Sequence, residues 1–299
     1  MRRTLMALLG VILLITTATS FADDCGDVNN TGTVNIQDIT YLINFLYKGG
    51  PAPYCGMGDV NNTGKVNIQD ITYLINFLYK DGADLDCGPT TGTLTDYDGN
   101  VYQTIRICNQ WWMAENLKVT HYRNEVKIPN VTDNTEWAGL TTGAYCEYDN
   151  NADNVATYAR LYNWYAIIDG QDIAPVGWHV PTDAEWKQLE MYLGMSQSEA
   201  DAIYSRGTTE GGKLKESGTS HWLSPNVGAT NESGFTGLPG GYRYGYGAYG
   251  YVGILALFWS STEYSSSYAW YRALSYSYSE VHRTYVDKQY GFSVRCVKD

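Results

Sequence analysis

The chain has 299 residues, of which 20 are Lys or Arg and 32 are Asp or Glu, and its net charge is −12. A polyanion of this kind repels nucleic acid and anionic lipid, so we expect neither as a partner. The length is sufficient for one small module and one larger domain with a core of its own.

Residues 1–22 have the pattern of a secretory signal peptide. Arg2 and Arg3 precede an apolar run from Leu5 to about Ile15, and Ser20-Phe21-Ala22 forms a small-x-small cleavage site. Cleavage would leave 18 Lys and Arg against 32 Asp and Glu, a net charge of −14. No later stretch reaches the roughly 18 apolar residues of a spanning helix. We therefore expect a secreted, extracellular protein, free or associated with the cell surface, without membrane insertion.

The six cysteines of an exported chain favour disulfides. They fall into two groups of three: Cys25, Cys55 and Cys87, then Cys108, Cys146 and Cys296. An odd number in each group requires either free thiols or a cross-link between the two parts. Within the second group we predict a Cys108–Cys296 pair, because first and last strands often neighbour each other in closed folds.

A tandem repeat dominates the first part of the chain. Residues 27–48 (DVNNTGTVNIQDITYLINFLYK) recur 32 residues later as residues 59–80, with Thr33 replaced by Lys65. Each copy carries oxygen-bearing side chains at loop positions 1, 3, 5, 9 and 12 and glycine at position 6, a spacing that wraps oxygens around Ca²⁺. The predicted ligands of two Ca²⁺ ions, with Thr33 and Lys65 contributing through their carbonyls, are Asp27, Asn29, Thr31, Thr33, Asn35, Asp38, Asp59, Asn61, Thr63, Lys65, Asn67 and Asp70.

Each loop leads into an amphipathic helix. In the first copy Ile39, Leu42, Ile43 and Leu46 recur at helical spacing. Residues 49–51 (GGP) end this helix, and residues 81–82 (DG) end its counterpart in the second copy.

Residues 23–88 resemble type I dockerin modules, which pair two such loops and bind cohesin domains of scaffold proteins. The resemblance implies a cohesin-like or other scaffold partner, recognised through Ile36, Gln37, Ile43, Asn44, Ile68, Gln69, Ile75 and Asn76. Near-identity of the copies would allow binding in two orientations. Position 5 is Thr where the family usually has Asp, so we expect weak, extracellular-range calcium affinity. Positions 10 and 11 are Ile-Gln instead of the common Ser-Thr, so any cohesin would have to be the chain's own. The alternative is that calcium merely folds a spacer or caps the neighbouring domain.

A linker at residues 89–94 is predicted to precede a larger α+β domain at residues 95–299. Val101–Ile107 is predicted to form a strand, and residues 181–194 a helix with a Thr182/Glu185 capping box. Ser196 and Glu199 predict a second capping box. Short strands and glycine turns dominate beyond residue 211.

Seven phrases occur in order along this domain: NQWWMAENL, RLYNWYA, GWHVPTDAEW, GATNESGF, LPGGYR, FWSSTEY and GFSVRCVKD. They resemble the Fibrobacter succinogenes major paralogous domain. This resemblance implies a C-type-lectin-like fold related to formylglycine-generating, sulfatase-modifying proteins. The tryptophans within the phrases are expected to be core residues.

We expect no catalysis. The formylglycine-generating relatives use two cysteines near the C-terminus, whereas here only Cys296 follows Cys146. The four histidines show no metal-ligand spacing, and no nucleophile-elbow, P-loop or dinucleotide motif is present.

Tyrosines suggest a ligand surface instead. Residues 241–290 hold 12 of the 27 tyrosines, interleaved with Ser, Gly, Ala and Arg. Strand alternation over residues 275–279 (SYSYS) would place both tyrosines on one face, and such composition suits rigid contact surfaces and sugar faces. The candidate surface residues are Tyr244, Tyr246, Tyr249, Tyr264, Tyr268, Tyr276, Tyr278 and Tyr285. Packing of several of them in a loop-rich core is the alternative.

The sequence thus predicts a secreted, non-catalytic binding protein in which a calcium module tethers a domain that contacts extracellular glycan or cell-surface protein. Three alternatives stay open. These are a structural surface component without a ligand, an oxidative or hydrolytic enzyme acting on extracellular polysaccharide or protein, and a receptor with a variable ligand surface.

Overall fold

The computed structural model describes residues 25–299. The predicted signal peptide, residues 1–22, lies outside the described residues.

The repeat region folds into two helices, as predicted. Helix α1 is Ile36–Lys48 and helix α2 is Ile68–Tyr79, and a short 3₁₀ turn, Tyr54–Gly56, lies between them. Asn35 and Asn67 cap the N-termini with complete capping boxes. Equivalent residues of the two copies build one small core, which includes Val28, Leu42, Val60 and Leu74.

The larger domain combines short helices with strands. Its helices are α3 (Asn134–Ala138), α4 (Val155–Tyr158), α5 (Trp164–Ile167), α6 (Asp183–Tyr192), α7 (Gln197–Asp201) and α8 (Glu210–Leu214). Its strands are β1 (Thr91–Thr95), β2 (Val101–Ile107), β3 (Gln110–Met113), β4 (Tyr145–Cys146), β5 (Leu161–Tyr162), β6 (Trp178–His179), β7 (Tyr204–Arg206), β8 (Gly240–Arg243), β9 (Tyr249–Val252), β10 (Leu255–Glu263), β11 (Tyr268–Ser275), β12 (Val281–Asp287) and β13 (Val297–Lys298). The predicted α+β class is therefore confirmed, as are the strand at Val101–Ile107 and the capping boxes of α6 and α7.

Two sheets organise this domain. One has the order β1-β2-β3-β13-β6 and the other β7-β12-β11-β10-β8-β9, while β4 and β5 form a small separate pair. Strands β10, β11 and β12 pair antiparallel, and β8 joins β10 in parallel. Because β13 pairs with both β3 and β6, the end of the chain joins β6 to the first sheet.

The second sheet lies between two hydrophobic clusters. Ala256, Phe258 and Leu274 face α6 and pack in a cluster with Trp186 and Leu189. The alternating residues of the same strands point to the opposite face, where some of them pack in a second cluster with Phe292 and Trp164. Of the six tryptophans expected in the core, five are buried, and Trp111 is partly buried against the second cluster.

Buried ion pairs fasten this sheet to α6. Arg272 of β11 and Arg283 of β12 are register partners, and both donate to Asp183 at distances of 2.7 to 2.9 Å. Glu190 lies about two helical turns after Asp183 in α6. Its carboxylate accepts from Arg272 at 2.6 Å and from Arg206 at 2.5 Å. Burial alone would raise the pKa of Asp183, but the hydrogen bonds and charges of the arginines hold it well below its ordinary value.

The disulfides differ from the predicted pairing. Cys25 pairs with Cys87 and Cys55 with Cys108, whereas Cys146 and Cys296 are buried free thiols. The predicted Cys108–Cys296 pair is therefore wrong. The last strand, β13, pairs with β3 through Val297 and Trp112, not with the first strand, and Cys108 lies in the tight β2–β3 turn beside the repeat module.

Two further segments differ from the sequence expectation. Residues 91–94 of the predicted linker belong to β1, which pairs with β2 along its whole length. The predicted alternating strand over residues 275–279 is wrong, because β11 ends at Ser275. The hydroxyl of Ser275 accepts a hydrogen bond from the backbone N–H of Ser277, and this local bond favours a turn over a continued ladder.

Replacing Glu190 by Ala would leave the guanidinium groups of Arg272 and Arg206 buried without this carboxylate. We expect Glu190→Ala to lower the free energy of unfolding by about 3 to 5 kcal/mol, measured by guanidinium chloride denaturation at pH 7. Glu232→Ala, which removes an exposed carboxylate, serves as the control and should change stability by less than about 0.5 kcal/mol. Equal effects of the two variants would contradict a structural role for the network.

The Cys55–Cys108 bond predicts a covalent link that survives backbone cleavage between the modules. A protease site inserted after Pro89 should give two fragments that stay joined on a non-reducing gel. The double variant Cys55→Ser/Cys108→Ser should release them. The matched control, Cys25→Ser/Cys87→Ser, should leave them joined, and release there would contradict the pairing.

Candidate calcium loops and a tyrosine-lined groove

The first loop gathers its oxygens by hydrogen bonds within the loop. The carboxylate of Asp27 accepts from the backbone N–H groups of Thr31 at 3.0 Å and Gly32 at 2.6 Å. Gly32 has φ +82°, which permits the sharp turn at position 6. Asp38 is fully buried and accepts from the backbone N–H of Asn35 at 2.8 Å. Positions 1 and 12 are thus held facing the centre of the loop.

The second loop repeats this geometry. Asp59 accepts from Thr63 at 3.0 Å and Gly64 at 2.6 Å, and Asp70 accepts from Asn67 at 2.8 Å. The substitution of Lys65 for Thr33 does not disturb the loop, because the carbonyl at this position accepts from the position 9 amide in both copies.

Unsatisfied acceptors indicate what the loops are built to hold. The side-chain oxygens of Asn29 and Asn61, at position 3 of each loop, are buried without a hydrogen-bond partner. Such orphaned acceptors are costly unless a donor or a cation satisfies them. Burial and the neighbouring Asp27 raise the pKa of Asp38, and burial and Asp59 do the same for Asp70. Residues of this chemistry fit Ca²⁺, a hard cation that takes oxygen ligands.

Each loop supplies only two carboxylates, and its other donors are amide, hydroxyl and carbonyl oxygens. Accordingly, no group of three or more His, Cys, Asp or Glu side chains in residues 25–299 is arranged to hold a metal ion. Calcium, when bound, would supply the positive charge that these paired carboxylates and orphaned amide oxygens require.

The predicted partner residues occupy matching places on the two helices. Ile36 and Ile68 are each 53 % exposed, and Gln37 and Gln69 are also exposed. The remaining four are half-buried, and two of them, Ile43 and Ile75, pack against the module core. The exposed pair at the start of each helix is therefore duplicated on the module surface.

The junction between the modules is tight. Beside the Cys55–Cys108 bond, the rings of Tyr54 and Tyr192 stack at 5.9 Å, and the guanidinium of Arg106 donates to the carbonyl of Cys87 at 2.7 Å. A Cβ added to Gly56 would lie 2.7 Å from the side-chain oxygen of Asn109. The repeat module is thus fixed against the larger domain by covalent, aromatic and polar contacts.

A groove of about 490 Å³ lies on the sheet face opposite α6. Its floor is apolar and aromatic, formed by Leu255, Leu257, Tyr271, Ala273, Val286 and Phe292. Tyr242 and Tyr290 flank it, with ring centroids 6.1 Å apart. A concave, mostly apolar site with a few polar groups is typical of a ligand pocket.

Polar groups stand at one end of this groove. Ser205, Ser275, Glu280 and His282 line it there together with Tyr278, which is 61 % exposed. Ser205 and His282 lie within hydrogen-bond reach, at 3.4 Å. Burial and the nearby Arg206 lower the pKa of His282, which favours its neutral imidazole.

The structure distributes the eight predicted surface tyrosines over several places. Tyr278 lines the groove, and Tyr244 and Tyr246 stack on each other at 4.8 Å beyond its other end. Tyr264, Tyr268 and Tyr285 form a separate group, in which Tyr264 and Tyr285 stack at 3.7 Å. Tyr249 bonds Asn150 beside Arg243, and Tyr276 packs against the α6 cluster.

Sequence reasoning missed the groove floor and the flanking Tyr242, Tyr271 and Tyr290. The available signal was the alternation of residues along β10 and β11, which places Leu255 and Leu257 on the same face as Tyr271 and Ala273.

The two free thiols, Cys146 and Cys296, are not among the residues that line the groove. Burial raises the pKa of Cys146 to about 11 and also raises that of Cys296.

The fold and sites define a two-module protein: a duplicated calcium-loop module fixed to an α+β domain with an open aromatic groove. The chain belongs to the Fibrobacter succinogenes major domain family, whose model matches residues 105–298. A dockerin type I domain matches residues 25–79. The resemblances named from the sequence are thus confirmed.

Comparison with curated proteins and with solved structures finds no significant match for this chain. The C-type-lectin-like fold therefore stays a prediction of the resemblance. Dockerin type I domains bind calcium and cohesin scaffold proteins and occur in extracellular proteins, and the two disulfides fit that setting. Among the helices of residues 25–299, none has the length and apolarity that crossing a membrane requires.

Loss of a position 1 carboxylate should weaken calcium binding. In a calcium titration of the full chain, we expect Asp27→Ala to reduce the heat of binding at the first loop and to leave that at the second loop unchanged, because affinity follows ligand charge. Thr33→Ala is the matched control, since position 7 contributes its carbonyl and the second copy already carries Lys there. Indistinguishable titrations of the two variants would contradict the ligand assignment.

Proposed function

We propose that this chain is a secreted, non-catalytic binding protein. Its dockerin module, ordered by two calcium ions, tethers the protein to a cohesin-bearing scaffold. Its larger domain contacts extracellular glycan or protein through the groove. The observation that carries the proposal is the apolar, tyrosine-flanked groove on a sheet face whose other side is fastened to α6.

The tether is supported by the duplicated geometry of the loops and of the exposed Ile-Gln pairs. Each loop leaves one asparagine oxygen without a partner, so we expect one ion per loop. Because a preformed site rarely exists in an unfolded chain, calcium binding and folding of this module should be coupled. Binding of the scaffold would then depend on calcium.

A non-catalytic function is supported by the chemistry of the two free thiols and of His121. Thiol chemistry needs an accessible thiolate, whereas Cys146 and Cys296 are buried with raised pKa values. His121 contacts Asp98 and Thr120 through the same ring nitrogen, Nδ1, so it cannot relay a proton between them.

A hydrolase is the second candidate, and one observation favours it. Ser205 and His282 lie 3.4 Å apart within the groove. The activated nucleophiles of hydrolases require a base oriented by a third group, and no carboxylate bonds His282 in the described part of the chain. Turnover of a polysaccharide or peptide that is lost in Ser205→Ala would favour this candidate over the binding function.

The tether can be tested by capture on an array of cohesin domains from the organism that makes this chain. We expect the secreted chain to bind at least one cohesin in calcium and to be released by EDTA. The double variant Asp27→Ala/Asp59→Ala should lose capture, because both loops lose their first carboxylate. Thr33→Ala should retain it. Capture that persists in EDTA would exclude a calcium-dependent tether.

The groove can be tested on glycan and peptide arrays with the same chain. Tyr278→Ala should reduce the signal on its ligand without changing cohesin capture, since this side chain is exposed within the groove. Tyr97→Ala, which removes an exposed tyrosine outside the residues lining the groove, is the control. A signal on neither array would favour the structural-component alternative.

A further inference from the structure

A second cavity adjoins the groove. It has a volume of about 300 Å³ and is lined by Ala138, Gly245, Tyr246, Asp287, Gln289 and Tyr290. Tyr290 lines both cavities. The groove and this outer cavity are therefore neighbours that share one tyrosine ring.

Tyrosine rings connect the two cavities without interruption. Tyr242 lies 6.1 Å from Tyr290, Tyr244 lies 5.9 Å from Tyr290, and Tyr246 stacks on Tyr244 at 4.8 Å. Tyr242 is also stacked on Tyr251 at 5.4 Å. Rings that pack on one another are held in position before a ligand arrives, which lowers the entropic cost of binding.

The polar groups along this row offer both donors and acceptors. Glu280 and Asp287 supply carboxylate acceptors, while Ser205, His282 and Gln289 can donate. None of the residues that line the two cavities is Lys or Arg. An anionic ligand would therefore meet two carboxylates and no compensating cation, whereas hydroxyl groups would find partners of both kinds.

The position of the row also disfavours an extended peptide. Peptides that join a sheet pair with the free backbone of an edge strand. Here the floor is the side-chain face of β10 and β11, whose backbones are already paired on both sides. A peptide lying on this apolar floor would leave backbone N–H and C=O groups without partners, which is costly.

We propose that the groove and the outer cavity are adjoining subsites for a neutral, linear polysaccharide, with Tyr290 between them. This proposal rests on the proposed binding function and specifies its ligand. Sugar rings would lie with their apolar faces on the tyrosines, and their hydroxyls would bond the carboxylates and amide at either end.

The test uses the secreted chain and isothermal titration with soluble neutral polysaccharides (β-glucan, xylan and mannan), their disaccharides, and polygalacturonate as the anionic counterpart. At least one neutral polymer should bind, and polygalacturonate should not. Tyr246→Ala should weaken binding of that polymer about tenfold by removing one stacking contact, while the disaccharide, which the groove of about 490 Å³ can hold on its own, should bind there unchanged.

Two further variants separate contact from folding. Tyr290→Ala should weaken polymer binding more than Tyr246→Ala does. Tyr290→Phe keeps the aromatic ring and should bind the polymer as the wild type does. Tyr97→Ala should match the wild type. Melting curves of all variants show whether the domain is intact.

Three results would overturn the proposal. Preferential binding of polygalacturonate or of array peptides would show a different ligand class and leave a binding function in place. Equal weakening of polymer and disaccharide by Tyr246→Ala would show one subsite instead of two. Failure of every neutral polymer to bind, with cohesin capture intact, would remove the glycan ligand while the tether stands.

Discussion

Two carboxylates of α6 fix the geometry on which the larger domain depends. Asp183 and Glu190 bind three arginines that project from β7, β11 and β12 into the interior. Removing the partner of a buried charge is costly, so these ion pairs favour a single register between the sheet and the helix. With one sheet face committed to α6 in this way, the opposite face keeps the alternate side chains of β10 and β11 for the groove.

A different constraint joins the two modules. The dockerin module closes on itself through Cys25–Cys87 and is attached to the domain through Cys55–Cys108. The second bond lies beside the stacked rings of Tyr54 and Tyr192. The loops of the dockerin module, its helices α1 and α2 and the groove therefore belong to one connected structure, although family models assign them to two domains.

Local signals in the sequence were sufficient for the elements that local chemistry controls. The N-caps at Thr182 and Ser196 form as predicted because each satisfies backbone groups within its own turn. The same kind of bond misled the reading of residues 275–279, where the hydroxyl of Ser275 diverts the chain into a turn. Alternation of residue types along the sequence does not show whether such a local hydrogen bond will replace strand pairing.

Contacts between residues far apart in the sequence could not be predicted from local patterns. The partner of Cys108 depends on how a module some 50 residues earlier packs beside the β2–β3 turn, and pairing statistics contain no such information. The groove was missed for a similar reason. Tyr242, Tyr271 and Tyr290 belong to three separate segments that only the assembled sheet brings together. The abundance of tyrosine suggested a ligand surface, but only the folded structure shows which tyrosine rings line the groove.

The cross-link at Cys108 has a consequence for avidity. A flexible linker lets a binding domain search a wide volume around its anchor, and its effective concentration at any one point is then low. A rigid attachment instead holds the binding domain at one distance and one angle from its anchor. If the scaffold holds this protein by its dockerin helices, the groove would engage a surface only where spacing and angle match that attachment, and neighbouring copies on the same scaffold would act together on a matching array.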